Sequence, residues 1–283
     1  RIAGDIKEEY PDIQVDTLAY RYTRKPPKSI VPADNVIIRL CSVECSFAHG
    51  LDDADCEENA AFAKTIEDWA KVSDKLYIWD YTTDFAHYLA PYPNLHILWD
   101  NVRFFKDHNV VGIHEQGNYQ AYSGEFGELR GYLLAKLLWN PDMTKERYFE
   151  LMDEFLQDYY GKGWHYIREY IDRTAEKAAR SHMHLDDHPE KYLPLVKEED
   201  RAFAKEMTGL WEKALAAADS KEYRDHVRKS RIQDEYYNLY MDFDGQVERN
   251  QALLESLREF GIDYHCESWA WKMAESMDRT IEP

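Results

Sequence analysis

Carboxylates, aromatic rings and imidazoles recur at the ends of the apolar runs in the first half of this 283-residue chain. One run finishes at Tyr20 and is followed by Arg21 and Tyr22. A second finishes near Arg39 and leads into Ser42, Glu44 and His49. A third closes on Trp79, Asp80 and Tyr81. A fourth closes on His114, Glu115 and Gln116, with Tyr119 just beyond. Acidic groups beside indole and phenol rings are the ingredients of glycosidic-bond hydrolysis. One carboxylic acid protonates the leaving oxygen, and another group supports the oxocarbenium-like centre. Sugar C–H faces stack on aromatic rings while the hydroxyls seek polar partners. Burial beside Trp79 or Tyr81 would hold a carboxyl protonated near neutral pH. Singly, each residue has a plainer use. An acid after a strand commonly caps a helix, Trp79 packs a rim, and His49 and His114 make structural hydrogen bonds. The recurrence at every run end is what points to a site.

The elements that must position these residues follow from periodicity. Val15–Tyr20, Asn35–Leu40, Leu76–Asp80 and Val110–Glu115 are nearly continuous apolar runs, as expected of strands covered on both faces. Helical spacing fills the intervals: Phe62, Ile66 and Trp69 in Asn59–Lys71; Leu95, Leu98, Val102 and Phe105 in Leu95–His108; Phe126, Leu129, Leu133 and Leu137 in Glu125–Trp139. Alternation of strand and helix predicts a parallel sheet in an α/β fold, with the site at the strand C-termini. After Asn140-Pro141 the pattern is helical throughout: Thr144–Tyr160, Trp164–Arg180, Glu198–Ala218, Glu222–Phe260, long enough to hold a break, and Tyr264–Met277. Four strands with short crossovers cannot close a barrel, whereas eight can. The expected architecture is therefore the second half of a (β/α)8 TIM-type barrel over residues 1–140, followed by an all-α helical C-terminal region over 141–283. An open doubly wound sheet is the competing arrangement, but no GxGxxG or GxxxxGK[ST] loop accompanies the strands.

Composition narrows the partners. With 54 acidic and 35 basic residues the formal charge is −19, which repels phosphate backbones and anionic membranes. No 18-residue apolar run offers a membrane span. The 21 tyrosines suit both a core and a carbohydrate surface. Tyr236, Tyr237 and Tyr240 fall at helical spacing and are assigned to packing. Four cysteines, at 41, 45, 56 and 266, are too few for a disulfide scaffold, and no metal or other cofactor is assigned to them. His182, His184 and His188 crowd one polar stretch and have the look of a metal cluster. They lie between predicted helices without a carboxylate or thiolate from a rigid element, and are assigned to a solvated loop.

Long segments resemble a known family. IRLCSVECSFAHGL, LYIWDYTTDFAHYLAPYPNL, NVRFFKDHNVVGIHEQGNY and GEFGELRGYLLAKLLWNPDM look like signature blocks of the domain of unknown function 4838, and EEYPDIQVDTLAYRYTRKPP fits its preceding block. These blocks cover about residues 8–143. That domain is the core of glycoside hydrolase family 163, endo-β-N-acetylglucosaminidases of complex N-glycans. The resemblance implies a retaining, substrate-assisted hydrolase in a (β/α)8 barrel, and an extracellular, periplasmic or cell-surface location. It also implies that upstream strands precede this segment, so the N-terminal half of the same polypeptide is an expected partner. Glu115 and Asp80 lead as catalytic carboxylates and Glu44 follows. Tyr20, Tyr22, Arg39, His49, Trp79, Tyr81, His114, Gln116 and Tyr119 are the expected substrate contacts. A non-catalytic glycan-binding relative is the alternative, and a metal-dependent hydrolase using His182–His188 a distant third.

Overall fold

The computed structural model describes residues 1–118, 125–241 and 246–267. Strands form at the four apolar runs: β1 (Val15–Ala19), β2 (Val36–Cys41), β3 (Leu76–Tyr81) and β4 (Val110–Gln116). They pair in chain order, β1-β2-β3-β4, with every pairing parallel. The register sets Asp80 beside Glu115 and Trp79 beside His114. Between β3 and β4 the ladder slips by one residue, because Leu76 pairs with Val110 and Tyr77 with Gly112. Val111 is the extra residue and stands exposed. Glycine at 112 makes room for the Tyr77 ring, which would lie 2.5 Å from a Cβ there and would have to shift for any larger residue.

Side chains alternate across a strand, and the two faces of this sheet have different company. Helices α2 (Glu57–Ala70) and α3 (Leu98–Asp107) both cover one face. Phe62, Ile66, Trp69 and Phe105 pack there on Ile38, Leu40, Leu76 and Ile78. The other face carries Arg39, Tyr77, Trp79, Tyr81, His114 and Gln116, which are half-buried apart from the exposed His114. Between β1 and β2 the chain makes only a 3-10 turn, Arg21–Thr23. It then crosses the helix side, where Arg24 lies over the Phe62 ring and its carbonyl accepts the Trp69 indole N–H at 2.6 Å.

Helix α1 (Ile2–Glu9) precedes the first strand and had no clear apolar stripe to announce it; none of its residues is buried. Helix α4 (Gly127–Trp139) follows β4, and every later regular element among the described residues is helical: α5 (Lys145–Tyr160), α6 (Trp164–Ala178), α7 (Glu198–Ala217), α8 (Lys221–Met241) and α9 (Gln246–Phe260). Thr144 caps α5 by accepting the Arg147 N–H at 3.2 Å. Helix α6 meets α7 closely at Gly163, where a Cβ would stand 2.6 Å from the Ala214 carbonyl oxygen. The long run Glu222–Phe260 resolves into α8 and α9. The helix expected from Tyr264 does not begin there. Glu267 donates its backbone N–H to the Phe85 carbonyl and His265 accepts from the Tyr88 N–H, so this stretch spends its backbone groups on a distant loop instead of on its own turns. The rest of that expected helix, from 268, lies outside the described residues.

Asn140-Pro141 marks a change of element type without interrupting the core. One apolar cluster runs from Leu98, Leu129 and Leu133 through Tyr148, Met152 and Tyr170 to Trp211 and Val227. Among the described residues no helix is long and apolar enough to cross a membrane, and no disulfide forms.

Candidate active site

Asp80 and Glu115 stand side by side near the C-terminal ends of β3 and β4. Asp80 is almost wholly buried and accepts hydrogen bonds from the Ser42 hydroxyl and from the Tyr81 backbone N–H at 3.0 Å. Burial pushes its carboxyl up to about 6, with both hydrogen bonds holding it down against that rise. Glu115 has no such help. Its Oε2 is shielded from solvent and has no hydrogen-bond partner among the described residues. Burial first, and the neighbouring Asp80 charge second, push its carboxyl well above the usual range. Glu115 is half-buried as a residue, but its shielded Oε2 and the unequal hydrogen bonding drive the two neighbouring carboxyls apart: Glu115 holds its proton more tightly and Asp80 ionises more readily.

Strand alternation separates this pair from the aromatic residues expected around it. Arg39, Trp79, Tyr81, His114 and Gln116 occupy the opposite face of the sheet. Trp79 and Tyr81 therefore do not desolvate Asp80 as flanking rings would; the covering helices and loops on its own side do. On the open face the Trp79 indole donates to Gln116 Oε1 at 2.7 Å, stands edge-on to His114 at 5.3 Å and stacks on Tyr81 at 6.5 Å between ring centres. Arg39 pairs with Asp16 and lies over the Tyr77 ring. The result is a polar, aromatic strip across three strands.

The remaining expected residues fall outside both groups. Glu44 is exposed and paired with Arg24. Tyr22 is 97% exposed. Tyr20 is half-buried, with the Arg21 guanidinium over its ring. His49 is held by Ser46 Oγ at 3.0 Å and the Ala179 carbonyl at 3.1 Å, a structural bridge to the end of α6. Tyr119 lies outside the described residues.

Sequence reasoning passed over the loop after β3. Asp84 is fully buried and accepts the Ala86 and His87 N–H groups at 2.9 and 3.0 Å, as well as the Tyr192 hydroxyl at 3.4 Å. Burial nonetheless pushes it up to about 8, so it is neutral at physiological pH. His87 bonds Tyr236 at 2.8 Å and His188 at 3.1 Å, and Tyr240 also bonds His188. Desolvation and the His188 and His265 charges depress His87 to about 4. Tyr236 and Tyr240 thus do more than pack. Further along the same loop, Asn94 Oδ1 and the Tyr92 carbonyl accept from Arg130 of α4, which also forks onto Glu125 at 2.6 and 3.0 Å. Both charged groups are buried. The one legible signal was the density of polar and aromatic residues in WDYTTDFAHY.

Residues 1–172 match the family model described as "Domain of unknown function (DUF4838)". This chain belongs to the DUF4838 family. No curated protein and no solved structure matches it. The DUF4838 match takes in all four strands, Asp80, Asp84, His87 and Glu115. His188, Tyr192, Tyr236 and Tyr240, which hold the loop after β3, lie beyond it.

Proposed function

We propose that this DUF4838 protein is a glycoside hydrolase acting on N-acetylhexosamine-containing glycans, an endo-β-N-acetylglucosaminidase by the family resemblance. The observation that carries the reading is the Asp80–Glu115 pair. Glu115, whose shielded Oε2 has no hydrogen-bond partner among the described residues, is the proton donor to the leaving oxygen. Asp80, hydrogen-bonded by Ser42 and the Tyr81 N–H, is the carboxylate that supports the substrate's N-acetyl group or the developing positive charge. A retaining, substrate-assisted course follows from the resemblance.

The sheet supports the barrel part of the proposal. Its strand order has no reversal and its covering helices α2 and α3 share one face. A doubly wound sheet reverses its order at a switch point and carries helices on both faces. An arc of a (β/α)8 barrel does neither. Four strands do not close a barrel, so the proposal assigns the remaining strands to another part of the polypeptide. An extracellular, periplasmic or surface location accompanies this function.

The strip also favours a second reading, a glycan-binding relative without turnover. Aromatic rings and an amide stand there in a row, apart from the carboxyls.

The test is Glu115→Gln and Asp80→Asn in the full-length polypeptide, assayed on an unactivated glycan. General acid–base catalysis contributes about 10²–10⁴-fold, so each variant is expected to lose at least about 100-fold in turnover. An aryl glycoside whose leaving group needs no proton should partly restore Glu115→Gln and not Asp80→Asn. Folded variants with near-parental turnover would show that the carboxylates are wrongly assigned. A parental protein that binds glycan without cleaving it would favour the binding reading.

A further inference from the structure

The loop between α6 and α7 brings two histidines onto a helix more than a hundred residues away in the chain. Met183 is fully buried, its carbonyl accepting the Phe47 N–H at 2.7 Å and its own N–H donating to Ser46 Oγ at 3.2 Å. His182 and His184 flank this anchor and both reach the first turn of α2. His182 Nδ1 lies 3.2 Å and His184 Nε2 2.9 Å from the same oxygen, Glu58 Oε2. His188, the third histidine of the run, turns away to His87 and is not part of this group.

We infer that Glu58, His182 and His184 form a binding site for a single divalent transition-metal ion, zinc by preference. Their three donor atoms lie within 4.8 Å of one another. Zinc–nitrogen and zinc–oxygen bonds of about 2.0–2.1 Å in a tetrahedron place neighbouring ligands about 3.3 Å apart, close to the 3.2 and 2.9 Å that already separate Glu58 Oε2 from the two histidine nitrogens. The two imidazoles and one carboxylate match zinc's ligand preferences and leave a fourth position for water. The support behind the ligands is also in place. His184 Nδ1 lies 2.8 Å from Asp187 Oδ2, and Asp187 is fixed by the His184 backbone N–H at 3.0 Å and by Lys191. A histidine that turns one nitrogen to the ligand point and the other to a carboxylate is the usual arrangement around a bound metal. All three donors keep partial exposure, which gives the ion a way in.

A rival grouping of His49, Cys56 and His182 shares one residue with this one. His49 already spends both ring nitrogens on Ser46 and the Ala179 carbonyl, and no outer carboxylate supports it. The bound ion would fasten α2 to the loop that also holds the rim of the sheet, since the Leu185 carbonyl accepts the Phe85 N–H at 2.6 Å. This inference does not depend on the glycosidase reading.

Isothermal titration of zinc chloride into chelator-stripped protein tests it. One ion per chain is expected, with a dissociation constant at or below about 1 μM. Glu58→Ala and His184→Ala should each weaken binding by at least about 100-fold, and Asp187→Asn by about 10–100-fold. Cys56→Ser should leave affinity unchanged. Absence of stoichiometric binding, unchanged affinity in folded His184→Ala, or loss of binding in Cys56→Ser would each overturn the assignment. Should the alanine variants fail to fold, cobalt(II) added to the unaltered protein decides the matter. Intense tetrahedral-type visible bands without a thiolate charge-transfer band support the site. A weak octahedral spectrum or a thiolate band overturns it.

Discussion

Replacing Asp84 by Asn should make the protein more stable, by an amount that grows with pH. Asp84 is fully buried, and burial raises its carboxyl from 3.8 to about 8 in the fold. A carboxyl raised in this way binds a proton on folding between those two values. The unfolded state then carries fewer protons than the folded one, and stability falls as pH rises through that window. Each unit of separation is worth about 1.4 kcal/mol, so keeping Asp84 neutral costs roughly 4 kcal/mol at pH 7. That is a large share of the roughly 5–15 kcal/mol that holds a typical domain together. Asparagine keeps the acceptor for the Ala86 and His87 N–H groups and has no charge to lose. Urea unfolding of both proteins at pH 5 and pH 8 should show an advantage for Asp84→Asn that widens by roughly 3–4 kcal/mol between the two. Groups common to both proteins cancel in that comparison. An advantage that stays constant with pH would mean that Asp84 titrates alike in the folded and unfolded chain, and would refute the reasoning.

Ser42→Ala removes the hydroxyl that holds the Asp80 carboxyl down. The NMR titration midpoint of Asp80, expected near 6 in the parental protein, should move upward; no movement would mean that the hydroxyl does not donate to it. Gly163→Ala drives a methyl group against the Ala214 backbone, which cannot rotate away as a side chain could. A loss of about 1–3 kcal/mol is expected from overpacking, and a melting temperature equal to that of the parental protein would show that α6 and α7 part without strain.

The strands were legible because each is a short apolar run, and strand order was legible because a helix or crossover separates each run from the next. Trp79, Asp80 and Tyr81 show where that reading overreached. Consecutive residues of a strand must face opposite ways, so gathering all three on one rim conflicted with a rule visible in the sequence itself. The approach of Asp80 to Glu115 depended on register, which apolar runs do not specify to a single residue. The histidine run was legible as a cluster, but the carboxylate that joins His182 to His184 was not. Glu58 sits in the first turn of α2, and only tertiary packing brings it to His182 and His184. Asp84 was invisible for a related reason, because its burial is supplied by Tyr192 and other residues late in the chain.

The loop after β3 exchanges backbone hydrogen bonds with Leu185, His265 and Glu267. During synthesis the ribosome adds about 5–20 residues per second, so roughly 10–40 s separate the emergence of Phe85 from that of its last partner. Through that interval the nascent sheet waits with its C-terminal rim open, and Phe85, Tyr88 and Leu89 lack the cover they have in the finished protein. The strands of this chain come first in time, but the cover of the loop after β3 is completed last. Substitutions near residue 265 should therefore lower the yield of soluble protein out of proportion to any effect on the strands themselves.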